Sequence, residues 1–590
     1  MRFVIDKKSL IETELVMNVD LSKWTRDWSL MNSFFNAAEI RRISEKLQNL
    51  KTHNVVYCSF ENRFARSGGL AAVAMNILPY LKEVNNIPNV FLMTPFYPSF
   101  MDINKLQSVG KQFEVPFNDK TVNAELFEYT WNYIKPLQGS LKEYYLRADG
   151  FFETSHTVRD PYVYNEHDSN LNGRSMQQNS LFFCKAVPLA LQALGIREDI
   201  VFHLQEWQTA LIALTAKEAM LDGVIGSCAT VQTMHNSYDS FISYKALSGI
   251  TDRSKNRKTS LLIGSGLTAY QIGLQLSDGP ATTVSEHYAD EFTTDILQTE
   301  YFAPHLQGIL RKSGVYGVNN GMFVDFPPEF ANVEHLAIDD IRKIKWQQRK
   351  ALLKILAAYK PKARFGELTY KGRTISRLPD DIPIFVMSGR LDPLQKGYDV
   401  FLRAIERFSE DEIKVIMTPM TARLSDLDYF YEVACKCRGN LTVFAGRMEQ
   451  GYLELQGGAT FGVMPSIYEP FGAAVEYMAN GTVNIGRATG GLVDQISTEC
   501  GFPFREDAVF YTLDNIRAFV DTANTVQMRK TNPWAQSMTD NLYEAMKKAI
   551  YTYQHDQSKY YRLILNGFRQ VNKFSWESSV KNYFQIYEKI

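Results

Sequence analysis

The feature that most constrains this chain is a pattern that recurs along almost all of it: a short apolar run, a loop, then residues spaced for one face of a helix. Val55-Val56-Tyr57-Cys58 is the first clear run, followed by a glycine-containing loop and by Leu70, Val73, Ile77 and Leu81 at helical spacing. Val90–Met93, Ile200–His203, Ala229–Thr233 and Ala281–Val284 continue the series to about residue 318. A second series starts at Ile384–Met387 and runs through Ile413–Ile416, Leu441–Phe444, Thr460–Met464 and Val483–Gly486. Runs that are apolar throughout, rather than alternating, suit strands covered on both faces, so the pattern predicts parallel sheets flanked by helices. With 590 residues the chain is far beyond the ~250–300 at which one core stops growing. Two α/β, Rossmann-like domains are therefore expected, over 51–318 and 319–560.

The flanks read differently. Residues 1–50 place Leu30, Phe34, Ile40, Ile43 and Leu47 at amphipathic spacing, which predicts a helical extension packed on a neighbour, or on an oligomeric or protein partner. The stretch 360–381, rich in Lys, Arg and Pro, reads as an exposed insertion with a hairpin over Glu367–Ser376. The end of the chain is helical, and 561–590 is expected to cross back and brace the first domain.

Lys and Arg total 64 against 65 Asp and Glu, so no global field recruits nucleic acid or an anionic membrane. Six scattered cysteines lack the paired spacing of a zinc site or a disulfide framework. The amino terminus has no apolar signal stretch, and no run of ~18 apolar residues occurs, so a cytoplasmic protein is expected.

Several motifs stand at the ends of expected strands, where open α/β sheets bind ligands. Arg66-Ser67-Gly68-Gly69-Leu70 opens a helix, and its glycines and free N–H groups suit a phosphate, although a tight turn explains them equally. His203-Leu204-Gln205-Glu206-Trp207-Gln208 and Thr233-Met234-His235-Asn236 follow two further strands. In the second series, Arg390 and Lys396 in Ser388–Gly397 can converge on one point, where they would clamp a diphosphate and stabilise it as a leaving group. Pro465-Ser466-Ile467-Tyr468-Glu469-Pro470-Phe471-Gly472 and Arg487-Ala488-Thr489-Gly490-Gly491-Leu492 complete the set. There is no Asp-x-Asp in a strand-end loop to recruit a metal, and no metal site is expected.

These motifs together resemble the glycogen and starch synthases, retaining glycosyltransferases with the GT-B fold of two Rossmann-like domains facing a cleft. The matching segments are Lys-x-Gly-Gly-Leu, with Arg66 for Lys; Thr-x-His-Asn; Asn-Gly at Asn320-Gly321; Ser-Arg-Leu-x-x-Gln-Lys-Gly; Pro-Ser-x-x-Glu-Pro-x-Gly; Arg-x-Thr-Gly-Gly-Leu; and Phe574-Ser575-Trp576. The resemblance implies transfer of a hexosyl unit, most simply glucosyl, from ADP-glucose or UDP-glucose to a glucan or other glycan. His235 and Glu469 would position the donor sugar. Arg66, Gly68 and Gly69 would approach phosphate, and Asn320 would face the sugar. Phe471 and Gly472 would offer N–H groups to sugar or phosphate, and Glu476 would hold ribose or serve structure. The implied step has the diphosphate leave, with an oxocarbenium-like transition state and attack from the same face; no separate cofactor is required.

The sequence also departs from the family pattern. Ala72 stands for an Asp, Gln205, Glu206 and Gln208 for His, Asp and His, and Phe323 for an Asp. Glu476 comes one residue early after Glu469, and Gln456 stands where a base-stacking Tyr is expected. A catalytically silent protein that binds glucan or scaffolds an assembly is therefore an alternative, as is a transferase or phosphorylase with a small acceptor.

Overall fold

The computed structural model describes residues 20–590 except 23, 28, 100, 135, 154–162, 165–174, 256–263, 265, 332–335, 360–377, 410, 422–423, 438–439, 447, 449–450 and 523–527. The 360–377 part of the expected insertion, with its hairpin, and the first 19 residues of the extension lie outside them. The chain forms two compact units. One comprises the described part of Met1–Val284 with His305–Gly321 and Ser575–Ile590; the other comprises Ser285–Pro304 and Met322–Phe574.

In the first unit the strands are β1 (Asn54–Cys58), β2 (Asn89–Pro95), β3 (Gln107–Phe117), β4 (Lys120–Tyr133), β5 (Gly139–Ala148), β6 (Ile200–Gln205), β7 (Cys228–Thr233), β8 (Phe241–Ser243), β9 (Gly266–Thr268), β10 (Ala281–Thr283) and β11 (Val315–Gly317). Nine of them form one sheet in the order β11-β10-β7-β6-β1-β2-β5-β4-β3, parallel except where β4 runs against β5 and β3. The central strands are buried along their length, as their unbroken apolar runs predict. The β3-β4-β5 extension is not legible as a continuation of the series. Its residues alternate polar and half-buried, the mark of an antiparallel edge with one face in water.

The helix Leu70–Val84 begins directly after the Gly68-Gly69 turn and buries Leu70, Val73, Ile77 and Leu81, the stripe read from the sequence. The amino-terminal helix Ala37–Gln48 buries Ile43 and Leu47. Arg42 and Lys46 donate from it to the Leu221 and Gly226 carbonyls at 3.1 and 2.6 Å, so this helix packs on its own chain. The last helix, Trp576–Lys589, also belongs to this unit. Its Tyr587 hydroxyl bonds His203 Nδ1 at 2.8 Å while Thr233 bonds Nε2 at 2.8 Å. His203 is thus sealed in the interior, and burial drives its pKa down to about 3. The chain returns to this unit at Ser575 rather than at 561, because the helix Gln557–Val571 buries Tyr560, Ile564 and Phe568 in the other unit's core.

The second unit holds β12 (Ile384–Arg390), β13 (Lys414–Met420), β14 (Leu441–Val443), β15 (Phe461–Met464), β16 (Val483–Arg487) and β17 (Gly501–Phe504), all parallel, in the order β14-β13-β12-β15-β16-β17. The order turns back between β12 and β15, the switch point at whose carboxyl edge such sheets hold ligands. Among the described residues, no helix is long and apolar enough to cross a membrane.

Candidate active site

In the second unit the loops after β12 and β15 meet at that switch point. The Ile467 N–H donates to the Gln395 carbonyl at 2.7 Å. Gly397, at φ +65°, passes so near the Pro465 carbonyl that a Cβ would lie 2.1 Å from it, which is why only glycine serves there. The contact brings Lys396 to Glu469: Nζ donates to both carboxylate oxygens, at 2.9 and 2.7 Å. Ser466 Oγ adds a bond at 2.9 Å and Gln395 Nε2 a longer one at 3.4 Å. Glu469 is buried, and Lys396 keeps one side toward solvent. A buried carboxylate is therefore neutralised by a cation that is itself reachable.

The Ser466-Ile467 turn is held from beneath by Arg487. This buried guanidinium pairs with Glu506 and donates to the Ile467 and Ser466 carbonyls at 2.6 and 3.3 Å. Burial opposes both charges, yet Arg487 keeps the Glu506 carboxyl below its ordinary pKa. The Gly490-Gly491 turn closes the other side. A Cβ on Gly490 would meet the Glu469 carbonyl at 2.0 Å, and one on Gly491 the Phe471 carbonyl at 2.4 Å.

Among the described residues, the N–H groups of Phe471 and Gly472 meet no acceptor, as an anion-holding backbone requires. The Phe471 ring does not line this opening. It is buried and packs edge-on against Phe323 and Phe574, so only its backbone is available. Phe323, where the family pattern has an Asp, is thereby a packing residue.

Arg390 ends β12 on an exposed position, and among the described residues it makes no ion pair with a carboxylate. Glu476 lies half-buried in the first turn of the short helix Ala474–Ala479. Gln456 is buried, and its amide donates to the Tyr452 hydroxyl at 3.3 Å, one helical turn earlier. An aromatic ring thus stands beside the place where counting along the sequence finds none.

In the first unit a second cluster gathers at the carboxyl ends of β6 and β7, with Tyr270 from the helix Ala269–Leu276. Glu206, held at φ +63°, turns its side chain inward. Its carboxyl accepts from the His235 N–H at 3.0 Å, Asn236 Nδ2 at 3.1 Å and the Tyr270 hydroxyl at 3.0 Å. All three donors are neutral, and burial raises its pKa to about 8. His235 Nε2 bonds Gln205 Oε1 at 2.7 Å, and burial lowers the ring's pKa to about 3. The ring is therefore neutral and held by Gln205, the residue that replaces a His of the family pattern. Trp207 and Gln208 are buried in the turn Trp207–Thr209.

The Gly68-Gly69 turn holds an anion, but it is the chain's own. The buried Glu61 carboxylate accepts from Gly68 N–H at 2.8 Å, Ser67 N–H at 3.2 Å, Ala71 N–H at 3.3 Å and the Tyr164 hydroxyl at 2.9 Å. The expectation that Gly68 presents its N–H to phosphate is corrected on this point. Gly69 alone remains open, with nothing within 4 Å of where a Cβ would stand. Arg66 is exposed and folds back, donating to the Arg63 carbonyl at 3.2 Å. Asn320 is buried, its N–H on the Val284 carbonyl at 3.2 Å. Glu61 escapes a sequence reading because a lone glutamate in a loop carries no signal until the turn folds over it.

Comparison with known proteins agrees with these two units. Residues 54–312 match the starch synthase catalytic domain family, and residues 371–519 match the glycosyl transferases group 1 family. A glycogen synthase of Thermosipho africanus is 25% identical over 556 residues, with 89% of this chain and 96% of that protein covered. One of Thermotoga maritima is 26% identical over 572 residues, covering 91% and 98%. Among solved structures, the catalytic domain of starch synthase IV from Arabidopsis thaliana, bound to ADP and acarbose, superposes with a TM-score of 0.66 at 19% identity, covering 91% of this chain and 99% of that one.

Proposed function

We propose that this chain, a glycogen/starch synthase-like glycosyltransferase that draws on a nucleotide sugar, is a retaining enzyme that moves a glucosyl unit from ADP-glucose or UDP-glucose to an α-glucan in the cytoplasm. The observation that carries the reading is the Lys396–Glu469 pair at the switch point of the second sheet, beside the N–H groups of Phe471 and Gly472 that meet no acceptor among the described residues.

In this reading the diphosphate lies against those N–H groups, with Lys396 and Arg390 supplying the positive charge that a leaving phosphate needs. Glu469, fixed by Ser466 and Gln395, accepts from donor-sugar hydroxyls on its remaining lone pairs. Tyr452 stacks on the base in place of the residue that Gln456 replaces. The neutral His235 cannot act as an acid at pH 7. The departing phosphate takes the acceptor proton.

The test is nucleotide release from ADP-, UDP- and GDP-glucose with and without glycogen, for the wild type and Glu469→Ala. One glucosyl donor is expected to be consumed in a glycogen-dependent way, and the variant is expected to be inactive while still folded by circular dichroism. Release from no donor would overturn the proposal.

A further inference from the structure

Away from the loops just described, the second unit has a pocket of about 330 Å³ along the helix Ile338–Ala358. Arg342, Lys345, Trp346 and Arg349 fall on one face of that helix, at the i, i+3, i+4, i+7 spacing. The opposite wall comes from Tyr560 and Tyr561 of the helix Gln557–Val571 and from Gly458–Thr460 ahead of β15. None of the residues after β12 or β15 takes part.

Cations outnumber carboxylates in this pocket: Arg342, Lys343, Lys345 and Arg349 line it against Asp380. Lys345 is buried and donates to the Gly457 and Ala459 carbonyls and to Thr482 Oγ1, acceptors that are all uncharged. Burial, with the nearby Arg349, lowers its pKa to about 7. Arg349 is 5% exposed, and its Nη2 reaches the Pro379 and Ile382 carbonyls at 2.8 Å each. Its Nε and Nη1 are buried and, among the described residues, have no hydrogen-bond partner. The nearest carboxylate, Asp380, stands 3.9 Å from Nε and is itself 72% exposed. A buried guanidinium with two idle donors, whose carboxylate neighbour stands out in solvent beyond hydrogen-bond reach, is costly unless an anion completes it. At the rim, Arg342 lies over the Tyr561 ring at 5.3 Å and Lys350 over the Trp346 ring at 3.3 Å, while Trp346 stays 46% exposed, which leaves part of its apolar surface beside the cations.

We propose that this pocket binds a small organic phosphomonoester, its phosphate drawn to Arg349 and completed by Arg342 and Lys343, and its ring-bearing part lying on the exposed surface of Trp346. The volume suits a monosaccharide or nucleoside monophosphate. It is independent of the donor reading, because it uses none of the donor loops.

Calorimetric titration of the full chain with glucose 6-phosphate, AMP, inorganic phosphate and glucose tests it. Saturable binding of glucose 6-phosphate or AMP is expected, with the stronger of the two telling a sugar ligand from a nucleoside one. Inorganic phosphate should compete, and glucose should not bind. Arg349→Met removes the anchors of the Pro379 and Ile382 carbonyls and can unfold the helix packing, so the exposed Arg342→Ala and Trp346→Ala carry the test. Each should weaken binding about tenfold or more. Lys396→Ala should leave it intact. Absence of binding by both esters, binding undiminished in the two pocket variants, or its loss in Lys396→Ala would overturn the proposal.

Discussion

Each of the two units buries a glutamate at the carboxyl edge of its sheet, and the two glutamates are satisfied in opposite ways. Glu469 receives two bonds from a cation, Lys396, along with Ser466. Glu206 receives only neutral donors, from His235, Asn236 and Tyr270, and burial moves its pKa to about 8. The difference separates a site poised to meet charge from one that avoids it. Lys396 stands half-exposed with a positive charge to share with a phosphate. The Glu206 cluster is closed on itself and fixes His235 as a neutral ring.

Removing the cation is the strongest way to break this contrast. Lys396→Met leaves Glu469 buried with no counter-charge and takes one phosphate ligand away. We expect nucleotide release to fall roughly 10²–10³-fold, measured on protein that remains folded. Gly397→Ala acts on the same pair through the backbone. A Cβ at 2.1 Å from the Pro465 carbonyl, at φ +65°, must push the two loops apart, which predicts a loss of about 2–4 kcal/mol in denaturant unfolding together with loss of activity.

Glu206→Gln sharpens the other side. The folded carboxyl keeps its proton up to about pH 8 while the unfolded one releases it near 4.5. Its stabilising contribution is therefore complete below about pH 4.5, declines as the pH rises and is gone above about 8. Glutamine is neutral throughout and can still accept from His235 and Asn236. The wild type should lose stability relative to the variant across that window, at a slope approaching 1.4 kcal/mol per pH unit. A parallel pair of stability curves would refute the raised pKa.

Gly69→Ala is the mildest change. With nothing within 4 Å, stability should stay within about 0.5 kcal/mol. Turnover should nevertheless drop about tenfold, because a methyl there keeps a ligand off the one open backbone position of the turn.

The two Gly-Gly turns show how far such signals reach. Written out, Gly68-Gly69 and Gly490-Gly491 look alike, each at a helix start where an anion fits. Each is already occupied by a glutamate from elsewhere, Glu61 in one case and Glu291 in the other; Glu291 accepts from the Gly490 N–H at 2.7 Å. Burial raises the Glu291 pKa to about 7. Neither glutamate belongs to the motif it serves, so no spacing rule could have found it. Tyr452 was hidden for a related reason. Counting to a fixed offset finds Gln456, whereas a helix puts a residue one turn earlier beside it.

What the sequence determined by itself was the order of buried strands and helices, the two-unit α/β plan and the positions of Lys396, Glu469 and His235 at strand ends. Apolar runs and strand-end motifs are local properties, and they survive being read one residue at a time. The tertiary structure alone decided which charges are already matched. It gave Glu61 and Glu291 to the glycine turns, Lys396 to Glu469 and Gln205 to His235, and among the described residues it left two Arg349 nitrogens without a hydrogen-bond partner. Charge balance depends on distances of a few ångströms between residues far apart in the chain, and on how much water lies between them, neither of which is written in any single segment.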